Sequence, residues 1–140
     1  MKRALLDTNV LLALAWPNHQ HHSHAQAWFA ESADQGWATC ALTQLGFVRL
    51  SSNPSFTPHS VTPRQAAVML SEWTSHRAHQ FLQSPAAQNP TIYKSALGHQ
   101  QVTDAWLVEV ARQNDGSFVT LDRRVSHHAS KDGLVEIIET

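Results

Sequence analysis

The hydrophobic positions of this chain form short unbroken runs that alternate with longer periodic stretches. Ala4-Leu5-Leu6 is apolar at every position, which suits a strand covered on both faces. Asp7 ends it, Thr8-Asn9 carry helix-capping chemistry, and Val10–Trp16 reads as an apolar helix stopped by Pro17-Asn18. Ala25–Ala33, with Trp28 and Phe29 on its apolar side, predicts an amphipathic helix closed near Gly36. Trp37–Cys40 is a second strand. Thr43 is expected to cap a helix starting at Gln44 and running to Leu50, where Ser51-Ser52-Asn53-Pro54 stops it. After a loop over 55–61, Thr62-Pro63 sets cap and proline in the preferred order for a helix through Ala66, Met69, Leu70 and Trp73. His79–Leu82 is a short third strand, and Thr91–Leu97 a helical turn. Val102-Thr103-Asp104 opens a helix over Ala105–Gln113. Ser117–Leu121 is a strand ended by Asp122, and Leu134–Ile138 is the last strand.

Strands of three to five residues alternating with helices predict an α/β fold, doubly wound around a mostly parallel sheet. No repeat, linker or low-complexity tract interrupts the pattern, so residues 1–140 are expected to form one domain. A hydrophobic fraction of 42% with 15% charged residues describes a globular chain. No apolar run approaches the roughly 18 residues needed to span a bilayer. The segment after Lys2-Arg3 is short and lacks a cleavage site, so no signal peptide is read. A lone cysteine, Cys40, excludes an intrachain disulfide and fits a reducing cytoplasm; the residue itself is expected to be buried.

A net charge of −1 rules out the global basic field that drives nonspecific nucleic-acid binding. A nucleic-acid partner would need a local basic patch or bridging cations. Ten histidines add positive charge as pH falls. His19, His21, His22 and His24 match no closed tetrahedral spacing and read as a polar connection into a helix. A dedicated His-rich metal protein would instead show tight stoichiometric zinc binding that is lost on changing those four.

Three acids share a pattern. Asp7 and Asp122 terminate apolar strands, and Asp104 lies in the first turn of a helix. In a parallel sheet these ends fall along one edge, where open α/β sheets bind ligands. Taken singly, each is also an ordinary cap or strand-end residue. Gathered, they repel one another unless a cation holds them, and oxygen donors without cysteine favour Mg2+ or Mn2+.

Leu5-Leu-Asp-Thr-Asn-Val-Leu-Leu12 resembles the opening motif of PIN-domain ribonucleases. Val102-Thr-Asp-Ala-Trp-Leu107 and Val119-Thr-Leu-Asp122 resemble that family's later acidic motifs, in the same order. Thr43-Gln-Leu-Gly-Phe-Val-Arg-Leu-Ser-Ser-Asn-Pro54 is similar to a segment of VapC toxins from type II toxin–antitoxin systems. The resemblance spans nearly the whole chain and implies a three-layer α/β/α PIN-like domain that hydrolyses RNA, tRNA foremost. By that resemblance Asp7 and Asp104 bind Mg2+ or Mn2+ directly, with Asp122 acting directly or through water. Thr8 and Asn9 would orient Asp7, and Thr103 or Thr120 would meet a water or phosphate. Thr43 and Gln44 support the site, and Arg49, Arg123 and Arg124 are candidates for RNA phosphates. Many family members carry Glu where this chain has Gln44. An amide adds no negative charge, so weaker metal affinity is expected. The alternative is a PIN module that binds RNA or a protein without cutting. The resemblance also implies a VapB-like antitoxin, a homodimer, and DNA bound only through the antitoxin.

Overall fold

The computed structural model describes residues 3–128 and 133–140. Among these residues, five strands form one sheet and five α-helices pack around it. The strands are β1 (Ala4–Leu6), β2 (Trp37–Thr39), β3 (His79–Phe81), β4 (Ser117–Thr120) and β5 (Val135–Ile137). The helices are α1 (Thr8–Ala15), α2 (His22–Ser32), α3 (Ala41–Ser51), α4 (Pro63–Thr74) and α5 (Val102–Gln113). The sheet order is β3-β2-β1-β4-β5, and every pairing is parallel.

The unbroken apolar strands are buried on both faces, as their composition predicts. Alternation then sorts their side chains between two cores. Ala4, Leu6, Trp37 and Val119 face one core, which takes Val10–Leu14 from α1, Ala25 and Trp28 from α2, Phe47 from α3 and Leu70 from α4. Leu5, Ala38 and Phe118 face the other, against Leu107, Val108, Val110 and Ala111 of α5. The result is a three-layer α/β/α arrangement. Trp37, Phe47 and Phe118 are the largest side chains fully withdrawn from water, each worth about 1.5–3 kcal/mol or somewhat more for the indole. Cys40 is buried directly after β2.

Several helices start earlier than the apolar periodicity suggests. α1 begins at Thr8 because Asp7 itself is the cap, its Oδ1 accepting the Thr8 N–H at 2.7 Å. α2 begins at His22 rather than Ala25, with the His22 Nδ1 donating to the Ala13 carbonyl at 2.7 Å. α3 begins at Ala41, so Thr43 is not its cap but its third residue. The Thr43 Oγ1 reaches back to accept the Cys40 N–H at 3.1 Å. The turn expected at Thr91–Leu97 is a 3-10 turn at Pro90–Tyr93.

The start of α4 conforms to expectation. Thr62 Oγ1 accepts the Gln65 N–H at 3.1 Å and Gln65 Oε1 accepts the Thr62 N–H at 2.9 Å, closing a reciprocal capping box with Pro63 in the first turn. Thr62→Ala is expected to lower stability by about 1 kcal/mol. Urea unfolding would read this as an earlier midpoint at unchanged slope.

Candidate active site

The sheet order turns the chain around β1. From β1 the strands proceed outward to β2 and β3, and the chain then returns to place β4 on the other side of β1. Such a reversal of strand order is where open α/β sheets form their ligand-binding crevice, at the carboxyl ends of the two strands that flank it, here β1 and β4. The register sets Leu6 beside Val119, so Asp7 is level with Thr120 and Asp122 lies two residues beyond. α5 runs back to the start of β4, which puts its first turn, and Asp104, at the same edge.

Asp7 is held by its neighbours. Thr120 Oγ1 donates to Asp7 Oδ2 at 2.7 Å, Thr8 N–H donates to Oδ1, and the Asp7 N–H donates to the Val119 carbonyl at 2.8 Å. Asn9 braces the same edge: its Nδ2 donates to Thr120 Oγ1 at 3.1 Å, and its Oδ1 accepts the Leu121 N–H at 3.2 Å. The Asp122 N–H also donates to Thr120 Oγ1, at 3.1 Å. The Thr120 hydroxyl thus has its proton and both lone pairs engaged, and it is fully buried. It positions Asp7 and Asp122, and is not free to meet a water or phosphate as the resemblance suggests.

Electrostatics bind the three acids into one unit. Burial pushes Asp7 up to about 6, its hydrogen bonds from Thr120 and Thr8 oppose this, and Asp104 and Asp122 add like charge. Asp104 is raised by burial and then by Asp122, with Arg124 opposing. Asp122 is lowered, chiefly by its hydrogen bonds from Arg124. Among the described residues, no three His, Cys, Asp or Glu side chains stand close enough together to hold one ion as they are.

The other sequence-derived candidates are distributed unevenly. Thr8 Oγ1 faces the Thr43 carbonyl at 3.4 Å, so these two tie α1 to α3. Gln44 directs its Nε2 to Thr39 Oγ1 at 3.0 Å and lines an apolar groove with Leu45, Leu70 and Phe81 between α3 and α4. Its described hydrogen bonds reach none of the three acids. Thr103 is exposed in the first turn of α5. Arg49 is exposed in the last turn of α3, about 12 Å along the axis from the helix start. Arg123 pairs with Glu139 at 3.6 Å. Arg124 grips Asp122, Nε to Oδ1 at 3.0 Å and Nη2 to Oδ2 at 2.8 Å.

Sequence reading overlooked Gly46. A Cβ there would lie 2.6 Å from Thr8 Oγ1 and 2.9 Å from Thr8 Cγ2. The absence of a side chain at this position is what lets α3 approach the residue next to Asp7. An isolated glycine inside a helical run was the available signal.

The profile of the PIN domain family matches residues 4–131. Ribonuclease VapC39 of Mycobacterium tuberculosis is 43% identical over 141 residues, covering 96% of this chain and 99% of its own. Ribonuclease VapC44 of that organism is 41% identical and covers 89% of each chain. Ribonuclease VapC38 is 40% identical over 87% of this chain and 86% of its own. Among solved structures, PAE2754 from Pyrobaculum aerophilum superposes with a TM-score of 0.61 at 20% identity, covering 97% of this chain and 84% of that one, a likeness of fold.

Proposed function

The chain belongs to the PIN-domain family and, within it, groups with the VapC ribonucleases, and on that premise we propose that it is a Mg2+- or Mn2+-dependent endoribonuclease, the toxin of a type II toxin–antitoxin pair. Its substrate class is structured RNA, tRNA foremost. The observation that carries this reading is the convergence of Asp7, Asp104 and Asp122 on one sheet edge, where burial raises Asp7 to about 6 and the like charges of the other two add to it. A buried carboxylate among like charges is stabilised by a cation. The donor set fits a hard one: carboxylate oxygens, with no thiol or imidazole in the coupled group.

Asp7 and Asp104 are the direct ligands in this reading, and Asp122 joins them directly or through water. Thr120 and Thr8 each donate to one oxygen of the Asp7 carboxylate and so fix its orientation. Asn9 holds Thr120 in turn. A bound divalent cation supplies a nucleophile at neutral pH and offsets charge building on the phosphate. Arg123, exposed beside the edge, and Arg49, further along α3, receive flanking phosphates. A VapB-like antitoxin silences the toxin and carries the DNA contacts, consistent with a chain of net charge −1. A cytoplasmic homodimer completes the proposal; no described helix is long and apolar enough to cross a membrane.

The test is cleavage of a total tRNA pool by antitoxin-free protein with Mg2+, Mn2+ or EDTA, with Asp104→Asn alongside. Discrete fragments that vanish with EDTA are expected. Asp104→Asn should cut at least about a hundredfold more slowly, since loss of even an outer-shell partner of a metal costs 10- to 100-fold. Intact RNA in every condition, from folded protein, would favour the module that binds without cutting.

A further inference from the structure

Among the described residues, Asp122 is the only one of the three acids whose carboxylate is paired with a cation. The fork of Arg124 takes both of its oxygens, and the Arg124 backbone N–H adds a third hydrogen bond, to Oδ1 at 3.0 Å. The same guanidinium is felt by Asp104. Arg124 thus holds positive charge over the acid edge. Yet its side chain is 85% exposed, against 25% for Asp122, so no packing retains it there. An exposed pair of this kind is weakly held and readily exchanged.

We propose that Arg124 is a counter-cation built into the site, holding Asp122 while no divalent ion is bound and yielding it when one arrives. The three hydrogen bonds from Arg124 fill three of the carboxylate's four lone-pair sites and leave a divalent ion one position on Oδ2, beside a positive charge. Arg124 therefore competes with the metal and raises the concentration needed to load the site. Among the described residues, no three acids stand together as a finished ion site while this grip holds. Release of Asp122 completes the set, and it frees a forked donor beside the edge for an RNA phosphate, the geometry a guanidinium matches best. The inference rests on the reading of these acids as a metal site.

The experiment is Mn2+ titration of the RNA-free protein, with free Mn2+ followed by electron paramagnetic resonance. Arg124→Ala is expected to bind Mn2+ about two- to fivefold more tightly than the original chain, a range set by the weakness of exposed ion pairs. Arg124→Lys, which keeps the charge without the fork, should fall between. Arg123→Ala removes an equal charge one residue away, whose partner is Glu139, and should leave affinity within twofold. Equal or weaker binding by Arg124→Ala, with the original chain binding normally, overturns the competition alone. A gain of the same size in Arg123→Ala also overturns it, because general charge would then suffice. Absence of Mn2+ binding in both the original chain and Arg124→Ala removes the metal site and the competition with it. Binding only in Arg124→Ala would be its strongest support.

Discussion

Asp7→Asn is expected to abolish RNA cleavage while making the metal-free protein more stable at pH 8. Both effects follow from the position of one carboxylate. Asp7 is raised to about 6 in the folded chain from an ordinary value of 3.8, chiefly by burial. Between pH 4 and 6 the folded state keeps a proton that the unfolded state has lost, so stability falls as pH rises through this window and stays low above it. Two units at 1.36 kcal/mol each set an upper limit of about 3 kcal/mol. Asparagine removes that cost and keeps the cap, because its Oδ1 can still accept the Thr8 N–H. Its amide nitrogen would meet a Thr120 oxygen already accepting from Asn9 and Asp122, which cancels part of the gain. The net expectation is about 1–2 kcal/mol at pH 8, seen by urea unfolding in EDTA.

The difference between the two proteins, followed against pH, isolates Asp7. His19 and His79 are held below their ordinary values by burial, and their contribution is lost as pH falls, the opposite sense. That contribution is common to both proteins and subtracts out. Asp104 is raised in both as well. With Mg2+ present the original chain should recover stability at pH 8 and bind more tightly as pH rises through 6, because the proton must leave first. Asp7→Asn should gain little from the ion. A stability difference that is flat from pH 4 to 8 would refute the raised carboxylate.

How much of this was legible in the sequence differs from element to element. β1 and β4 were legible because a strand buried on both faces must be apolar throughout, and Ala4-Leu5-Leu6 and Phe118-Val119 leave no alternative period. The three acids were legible because each ends such a strand or opens the helix beside it. The starts of α2 and α3 were not, because His22 and Ala41 precede the apolar face, and helix ends are set by hydrogen bonds such as Thr43 to Cys40. The role of Thr120 was misread for a related reason. A hydroxyl near an acid edge suggests a ligand, but only the register of β1 on β4 shows its lone pairs already taken. Arg124 was visible as a charge near the edge. That it closes on Asp122 two residues away depends on the turn at Arg123–His128, which composition does not reveal.

Gly46→Ala is expected to destabilise the protein by about 1–3 kcal/mol, the usual cost of overpacking, and to slow RNA cleavage by about tenfold to a hundredfold. Helix propensity argues the other way, since alanine in mid-helix is favoured over glycine by about 1 kcal/mol. Packing decides against it. The new Cβ would sit 2.6 Å from Thr8 Oγ1 and 2.9 Å from Thr8 Cγ2. Both branches of Thr8 face the glycine, so any staggered rotamer leaves at least one heavy atom in the way. The backbone of α1 or α3 must then yield. Thr8 is the first residue of α1 and its N–H holds Asp7, so the shift is delivered to the acid itself. Displacement of a catalytic group by about 1 Å can cost a hundredfold in rate. Thr8→Ala in the same chain would leave only the Cβ contact at 3.3 Å. The double variant should therefore recover most of the lost stability, with a coupling of about 1–2 kcal/mol in the double-mutant cycle. Recovery of cleavage should lag, because Thr8→Ala also removes the hydroxyl facing the Thr43 carbonyl. If Gly46→Ala alone proved more stable than the original chain, propensity would have won, and the close approach of α3 to Thr8 would not be what positions Asp7.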